Sequence, residues 1–515
     1  MQRFSFLFVL LATLAFVGLA NATPTVPSGI QYYAAVNITN SQSSATPSPF
    51  QQMINITEST FGNYIVYNNN LANFEYFYAN GTIIPAWIES NSSGKLITWV
   101  KLTPSIPANG KLTIYLGFAS KTTNLLSSSG TSGIGEAPQL SSTYAQYDDG
   151  ASVFPAFYQN FAGTTLSSIW TVSGIKYTVN NGFSATATGA DGYIISKNLA
   201  LNPVQYILDF YGTNFQTSTS SWTAVGMLDG GLTGITSGSG LGSMIVAGYP
   251  TASQTNGWQR NSTGSAGLTT SGAMQTVSAP AVWTIMPTSS TTTNFYINYG
   301  GLQTVSANAD TYPLYEGLIA AGSAGAAYTF TQPVTITWYR VRAYPPNGVM
   351  PSVSFGSVQQ ATSISLSISP NPATYGQSIT ITATCSVSTD TCAIDYPSLG
   401  THIAQGTGTA TYTFNAFARG AGTYSYFYAN DLTAGTASAG ATLTINKNST
   451  YTLSLTGITT DNLQYSGVNQ TATATIKTYH NQLTANLWLN NVQVGSTNTV
   501  LTYNAPYDIG SWVLT

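Results

Sequence analysis

The chain has 515 residues, of which 43% are hydrophobic, 12% aromatic and only 6% charged, with a formal net charge of −3. Thirteen Lys and Arg spread over that length cannot form the cationic patch that neutralises phosphates, which excludes nucleic-acid binding. The apolar content excludes a charge-rich disordered chain and suffices for about three domains with substantial cores.

Residues 1–22 read as a secretory signal peptide. Arg3 supplies the positive start, Phe6 to Ala20 the apolar core, and Ala20-Asn21-Ala22 a small-x-small cleavage site. The apolar run falls short of the roughly 20 residues that a membrane span needs. No later run is long enough, and Ile509 to Thr515 carries no anchor. The expected location is therefore secreted, at the extracellular cell surface, with no transmembrane helix in the mature chain. Seven sequons, at Asn37, Asn55, Asn80, Asn91, Asn261, Asn448 and Asn469, offer N-glycosylation sites in an exported glycoprotein.

Strand signals follow along the chain. Lys111 to Leu116, Ile364 to Ile368, Ile379 to Ala383 and Ala441 to Ile445 alternate polar and apolar residues, the period of a half-buried strand. Thr, Tyr, Val and Ile fill these runs, and Gly, Asn, Ser and Pro separate them. No long stretch has helical periodicity. The expected fold class is all-β, as tandem β-sandwiches.

Composition divides the chain after the signal into four segments. Residues 23–146 form a β-rich module that ends in a Ser/Gly-rich linker, Ser127 to Gly133. Residues 147–358 are Gly- and Thr-rich and close at the turn cluster Tyr344-Pro-Pro-Asn-Gly348. Residues 359–447 form a compact unit with the strand count of an immunoglobulin-like domain. Residues 448–515 form a second copy, in which Thr374 to Ala383 recurs around Tyr465 to Gly467 and Thr471 to Ile476. A period of about 90 residues suits one immunoglobulin-like sandwich, and the second copy stops short by one or two strands. Tyr424, Tyr426 and Tyr428 alternate in a strand that begins like a tyrosine corner; a plain Tyr-rich strand is the simpler reading.

The only two cysteines, Cys385 and Cys392, are expected to pair in an oxidising compartment and pin a hairpin, for roughly 2–3 kcal/mol. The rival is a two-cysteine metal site, for which His402 is the one nearby partner.

Three stretches carry a family resemblance. Asn73 to Gly81, Pro85-Ala-Trp-Ile-Glu89, Thr98-Trp-Val-Lys-Leu102, Ile106 to Gly110 and Thr113 to Phe118 together resemble the module called "domain of unknown function 2341". Phe118 stands where that pattern usually ends in Tyr-Gly. Tyr147 to Gly150, Asn160 to Leu166 and Trp170 resemble the opening of concanavalin A-like, laminin-G-like jelly rolls, and Thr335 to Tyr344 resembles their closing strand. With the immunoglobulin-like pair, this order resembles exported archaeal surface proteins of acid-living cells. The resemblance implies no established activity.

An acidic exterior also fits the low charge. With 16 acidic groups, few paired carboxylates can be lost to protonation, and the chain is expected to stay folded near pH 2–3. A surface shaped by glycosylation or assembly explains the same composition.

Candidate chemistry is sparse. Glycoside hydrolysis needs two carboxylates roughly 5–9 Å apart, and the acidic residues of 147–358 share no strand at that spacing. His402 and His480 are the only histidines, and Gly238 to Gly242 lacks the strand-to-helix context of a nucleotide loop. The chain is therefore expected not to be an enzyme. Asp148, Asp149 and Asp191 offer hard oxygen ligands for a structural calcium ion, against solvated turn carboxylates. Trp258, with Arg260, is the best exposed aromatic platform for carbohydrate, while Trp222, Trp283 and Trp338 read as core. The expected role is structural or adhesive at the cell surface, with glycan or other surface proteins as partners. The alternatives are a secreted polysaccharide hydrolase with accessory sandwiches, or a coat or filament subunit.

Overall fold

The structure is a computed structural model. It describes residues 24–447 except 93, 219–220, 231–241, 249–251, 261–265, 269–273, 275–278, 307–311, 324–326, 417–418 and 439; past 447 it describes only strands. The proposed signal segment, 1–22, lies outside the described residues. The architecture is nearly all β, and helix is confined to the four-residue turns Glu58–Phe61 and Gly150–Val153 and the 3-10 turn Pro346–Gly348 among the described residues. The chain divides into two compact units, ending and beginning at Ala361 and Thr362.

The first unit starts with a two-sheet sandwich. Strands β1 (Ile30–Asn40), β2 (Phe50–Thr57), β3 (Phe74–Phe77), β4 (Ala86–Ser92), β5 (Lys95–Leu102) and β6 (Gly110–Ala119) supply most of it. Alternation sends Ala34, Val36 and Ile38 of β1 inward, opposite Leu116, Ile114 and Leu112 of β6. The facing sheet is β4-β5-β2, which contributes Ile88, Val100, Ile54 and Ile56 to the same core.

A larger sheet follows and curls until it is nearly closed. Its strands are β7 (Phe157–Gln159), β8 (Trp170–Val179), β9 (Phe183–Leu201), β10 (Tyr206–Thr213), β11 (Ser221–Asp229), β12 (Gly242–Ala247), β13 (Thr255–Arg260), β14 (Ala281–Pro287), β15 (Thr292–Ile297), β16 (Gly300–Ser306), β17 (Leu314–Ser323) and β18 (Tyr328–Ala343). The path runs β13-β12-β11-β17-β9-β18-β10-β14-β15-β16. The 19-residue β9 pairs with both β17 and β18 and so joins the two layers. Leu208, Phe210, Trp283, Ile285, Tyr339 and Val341 fill the core between them.

Two boundaries differ from the compositional reading. Strand β19 (Ser352–Gln360), placed by sequence mostly within the 147–358 segment, pairs with β1 and completes the first sandwich. The Ser/Gly-rich stretch 127–133 is not a spacer. Leu126 bridges Ile134, and the Gly133 amide donates to Glu75 at 2.9 Å. At Gly133 (φ +68) a Cβ would meet the Leu125 carbonyl oxygen at 2.0 Å, so this position admits no larger residue. Such composition reads as a linker whenever its packing partners are remote in sequence.

The second unit begins with a sandwich of β20 (Ile364–Ser369), β21 (Ala373–Thr374), β22 (Ser378–Cys385), β23 (Thr391–Asp395), β24 (His402–Thr407), β25 (Thr409–Asn415), β26 (Gly422–Asp431) and β27 (Ala441–Asn446). One sheet is β20-β22-β25, the other β21-β27-β26-β23-β24, an immunoglobulin-like order. Tyr424 donates its hydroxyl to the Gly420 carbonyl at 3.2 Å, which is a tyrosine corner. Cys385 and Cys392 form a disulfide, but they do not pin a hairpin: β22 and β23 lie in different sheets, and both sulfurs point into the core between them.

Past 447, β28 (Thr452–Thr456), β29 (Gln470–Lys477) and β32 (Val500–Ala505) form one sheet. Strands β30 (Ala485–Leu489), β31 (Val492–Thr497) and β33 (Trp512–Leu514) form another. The orders β28-β29-β32 and β31-β30-β33 repeat β20-β22-β25 and β24-β23-β26, so the sequence repeat is also a topological one.

Candidate functional site

The outer face of β10, β14 and β18 packs on the outer face of β4 and β5. A row of cross-strand neighbours, Thr284, Asp209 and Arg340, runs across the first face. Trp87 and Trp99 face each other across β4 and β5, and Glu89 is the residue left over at a β-bulge between Ile88 and Ser90. Trp338, Phe154 and Val153 complete the apolar contact.

Arg340 is the hub of this junction. Its Nη2 donates to Glu89 at 2.8 Å and its Nε to Asp209 at 3.1 Å, with all three side chains buried. Its guanidinium carbon lies 4.4–5.4 Å from the ring centres of Trp99, Phe154, Trp338 and Trp87. Those ring faces stabilise a desolvated cation. Burial works against the Arg340 charge, but Tyr299, Glu89 and Asp209 outweigh it and hold the pKa above the ordinary arginine value. Burial likewise pushes Asp209 up, and Arg342 and then Arg340 pull it below the usual carboxylate range.

Arg342 donates from Nε to the same Asp209 at 2.7 Å. Tyr299 donates to Glu89 and accepts from Arg340 Nη2 at 2.7 Å. Asn298 and Tyr299 both have positive φ (50 and 62) in the two-residue turn between β15 and β16. That turn favours Asn followed by Gly. A tyrosine there is strained, and its hydroxyl contacts hold it.

A cleft of about 250 Å³ opens beside the network. Met53, Met286 and Met350 give it a soft apolar lining, with the rings of Trp99, Tyr296 and Tyr299. Arg342 and Thr284 are its other polar side chains, and no carboxylate or carboxamide side chain among the described residues lines it.

The residues singled out by sequence lie elsewhere. Trp258 is only 2% exposed and packs edge-on to Trp222 at 5.1 Å, so it presents no platform. The Asn-Gly before it suggests a turn, but Thr255–Arg260 is a strand between two others, and the ring is buried in a cluster with Leu228, Met244 and Val246. The Arg260 side chain lies outside the described residues. Trp283 is core of the larger sheet, whereas Trp338 belongs to the junction and Trp222 is half-buried.

Asp148 does not fit a calcium site. Its oxygens accept from Trp87 Nε1 (2.9 Å), Tyr158 OH (2.9 Å), Asn160 Nδ2 (2.7 Å) and the Gly150 amide (3.0 Å), donors that a cation would have to displace. Asp149 is buried, and desolvation pushes it up to about 6, which opposes cation binding at low pH. The Asp191 side chain lies outside the described residues. Among the described residues no group of three His, Cys, Asp or Glu could hold a metal. His402 contacts Asp395, not the cysteines. Of the sequons, Asn55, Asn80 and Asn91 are exposed and Asn37 is half-buried, accepting from Thr113. Asn261, Asn448 and Asn469 lie outside the described residues.

The junction carried one sequence signal: Trp338, Arg340 and Arg342 share a strand face by period 2, which sets a tryptophan beside two cations on the face opposite Tyr339 and Val341. Its partner Glu89 is 251 residues away, beyond any local pattern.

No protein-family model matches the chain. "Uncharacterized protein 562" of Sulfolobus islandicus rod-shaped virus 1 is 28% identical over 345 residues, covering 62% of this chain; the chain thus spans 58% of that relative's length. Among solved structures, the botulinum neurotoxin serotype D binding domain is 10% identical with a TM-score of 0.25, covering 68% of this chain and 88% of that one. Porphyranase B from Zobellia galactanivorans is 14% identical with a TM-score of 0.25, covering 39% and 92%. These TM-scores are too low to assign a shared fold.

Proposed function

We propose that the protein is an exported cell-surface adhesion protein that binds glycan without cleaving it, through the cleft at the junction of its two N-terminal β modules. The observation that carries this reading is the cleft itself: a concave site walled by the half-buried rings of Tyr296 and Tyr299, beside strands locked by the Arg340 network. Rings on rigid elements give a sugar a stacking surface with little ordering cost. Among the described residues no carboxylate lines the cleft, and hydrolysis needs two. The immunoglobulin-like repeats act as a stalk. Export is supported by the signal-like first 22 residues and by exposed sequons at Asn55, Asn80 and Asn91. No described helix is long and apolar enough to cross a membrane.

The test is a glycan array probed with the full chain at pH 3 and pH 7, beside an assay for released reducing sugar and light scattering. Saturable binding without sugar release is expected. Sugar release would favour a hydrolase, and concentration-dependent polymers without glycan binding would favour a coat subunit.

A further inference from the structure

Among the described residues that line the cleft, Arg342 is the one charged side chain. Arg342 commits Nε and Nη2 to Asp209, at 2.7 and 3.5 Å, and makes no other hydrogen bond to the described residues. The Tyr296 hydroxyl likewise bonds none of them. Thr284 spends its proton on Asp209 at 2.7 Å. A neutral sugar presents several hydroxyls that donate as well as accept, and a buried donor left unpaired opposes binding. Among the described lining residues only the neutral hydroxyl oxygens of Thr284 and Tyr296 are free to accept from such hydroxyls. A carboxylate or a sulfate is acceptor-only and meets a guanidinium in a charge-assisted bond. The floor of Met53, Met286 and Met350 suits the apolar face of one ring. A volume of about 250 Å³ falls below the roughly 300–1,000 Å³ of drug-sized sites, so it fits one residue and not a chain.

We infer that the junction cleft takes a single sugar residue bearing an acidic substituent, with that charge set against Arg342. The inference rests on the glycan-binding reading and names its ligand class. Arg342 fixes the charged end, Tyr296 gives a second donor, and the methionines take the ring. Because arginine stays charged at every working pH, the pH dependence of binding reports the ligand. A carboxylated sugar binds at pH 7 and weakens as pH falls through its own pKa, about 3.5. A sulfated sugar binds equally at both ends.

The experiment titrates the full chain with glucuronate, glucose 6-sulfate and glucose at pH 7 and pH 2.5, following intrinsic tryptophan fluorescence. The proteins are wild type, Arg342→Gln, Arg342→Lys and Met350→Trp, each first checked for an unchanged cooperative melt. Wild type is expected to prefer an acidic sugar to glucose by at least tenfold. Arg342→Gln should erase that preference, Arg342→Lys should keep part of it, and Met350→Trp should block all binding. If Arg342→Gln fails to fold, the Lys and Trp variants still decide. Equal affinity for glucose, blocked by Met350→Trp, overturns the acidic class but leaves glycan binding in place. Acidic-sugar binding untouched by the Arg342 variants and by Met350→Trp overturns this site. No binding to any glycan overturns both readings.

Discussion

Lowering the pH should stabilise the first unit, and Glu316 shows why. Among the described residues Glu75, Glu89, Glu136, Asp149, Asp209, Glu316, Asp390, Asp395 and Asp431 are buried, a reversal of the usual surface placement of carboxylates. Desolvation is the leading cause in Glu75, Glu136, Asp148 and Asp149, and all four are raised. In Glu316 burial carries the carboxyl from 4.5 to about 7, against the pull of nearby backbone amides and the Ser196 hydroxyl. A group whose folded pKa is raised holds its proton more tightly in the folded state. Its contribution is complete below the unfolded value near 4.5 and is lost as pH rises through 7. The rise from 4.5 to about 7, at about 1.4 kcal/mol per pH unit, is about 3 kcal/mol. At about 2 °C per kcal/mol for a unit of this size, Glu316 alone should lower Tm by about 6 °C between pH 4.5 and pH 8, on top of a smaller fall from Asp149. Calorimetry of the full chain across that range reads the slope. Glu316→Gln keeps the shape and removes the titration, so its slope should shrink by that amount, leaving the smaller part from Asp149, which is raised to about 6. A Tm that rises from pH 4.5 to 8, or a slope unchanged in Glu316→Gln, would refute the reasoning. Asp209 acts in the opposite sense: its pKa is lowered, so its contribution is present above 3.8 and fades as pH falls through the lowered value.

Three other perturbations have set outcomes. Arg340→Met strands Glu89 as a buried charge and should cost about 3–5 kcal/mol by denaturant unfolding; a loss under 1 kcal/mol would contradict the hub assignment. Tyr299→Phe keeps the ring but removes the hydroxyl shared by Glu89 and Arg340, and should cost about 1–3 kcal/mol in the same assay. Trp258→Ala should act as a core truncation, lowering stability by about 3–5 kcal/mol while leaving glycan affinity unchanged in the molecules that stay folded.

The strand content was legible because it is local. The alternating runs at Lys111 to Leu116, Ile379 to Ala383 and Ala441 to Ile445 all fall inside strands β6, β22 and β27. The repeat was legible for the same reason, since β22 and β29 occupy the same place in their sheets. What escaped was whatever depends on contacts between distant segments. Ser352–Gln360 follows the second module in sequence but pairs with β1, some 320 residues earlier, as the register Tyr32 to Gln360 shows. Trp258 and Trp99 are both buried tryptophans in strands, and only the tertiary fold places one in a cluster on the outer strands of the larger sheet and the other at the Arg340 junction. Asp148 and Asp149 suggested a cation from their type alone. The donors that occupy Asp148 come from Trp87, Tyr158 and Asn160, up to 61 residues away.

The most direct measurement is calorimetric titration of the full chain, wild type against Met350→Trp, with the sugar class that the array selects. Met350 lines the cleft and is half-buried, so a larger ring there should fill the site and leave the Arg340 network intact. Saturable one-to-one binding by wild type and none by Met350→Trp, with equal melting temperatures, is the predicted result. Equal binding by the two proteins would show that the junction cleft is not where this protein meets its ligand.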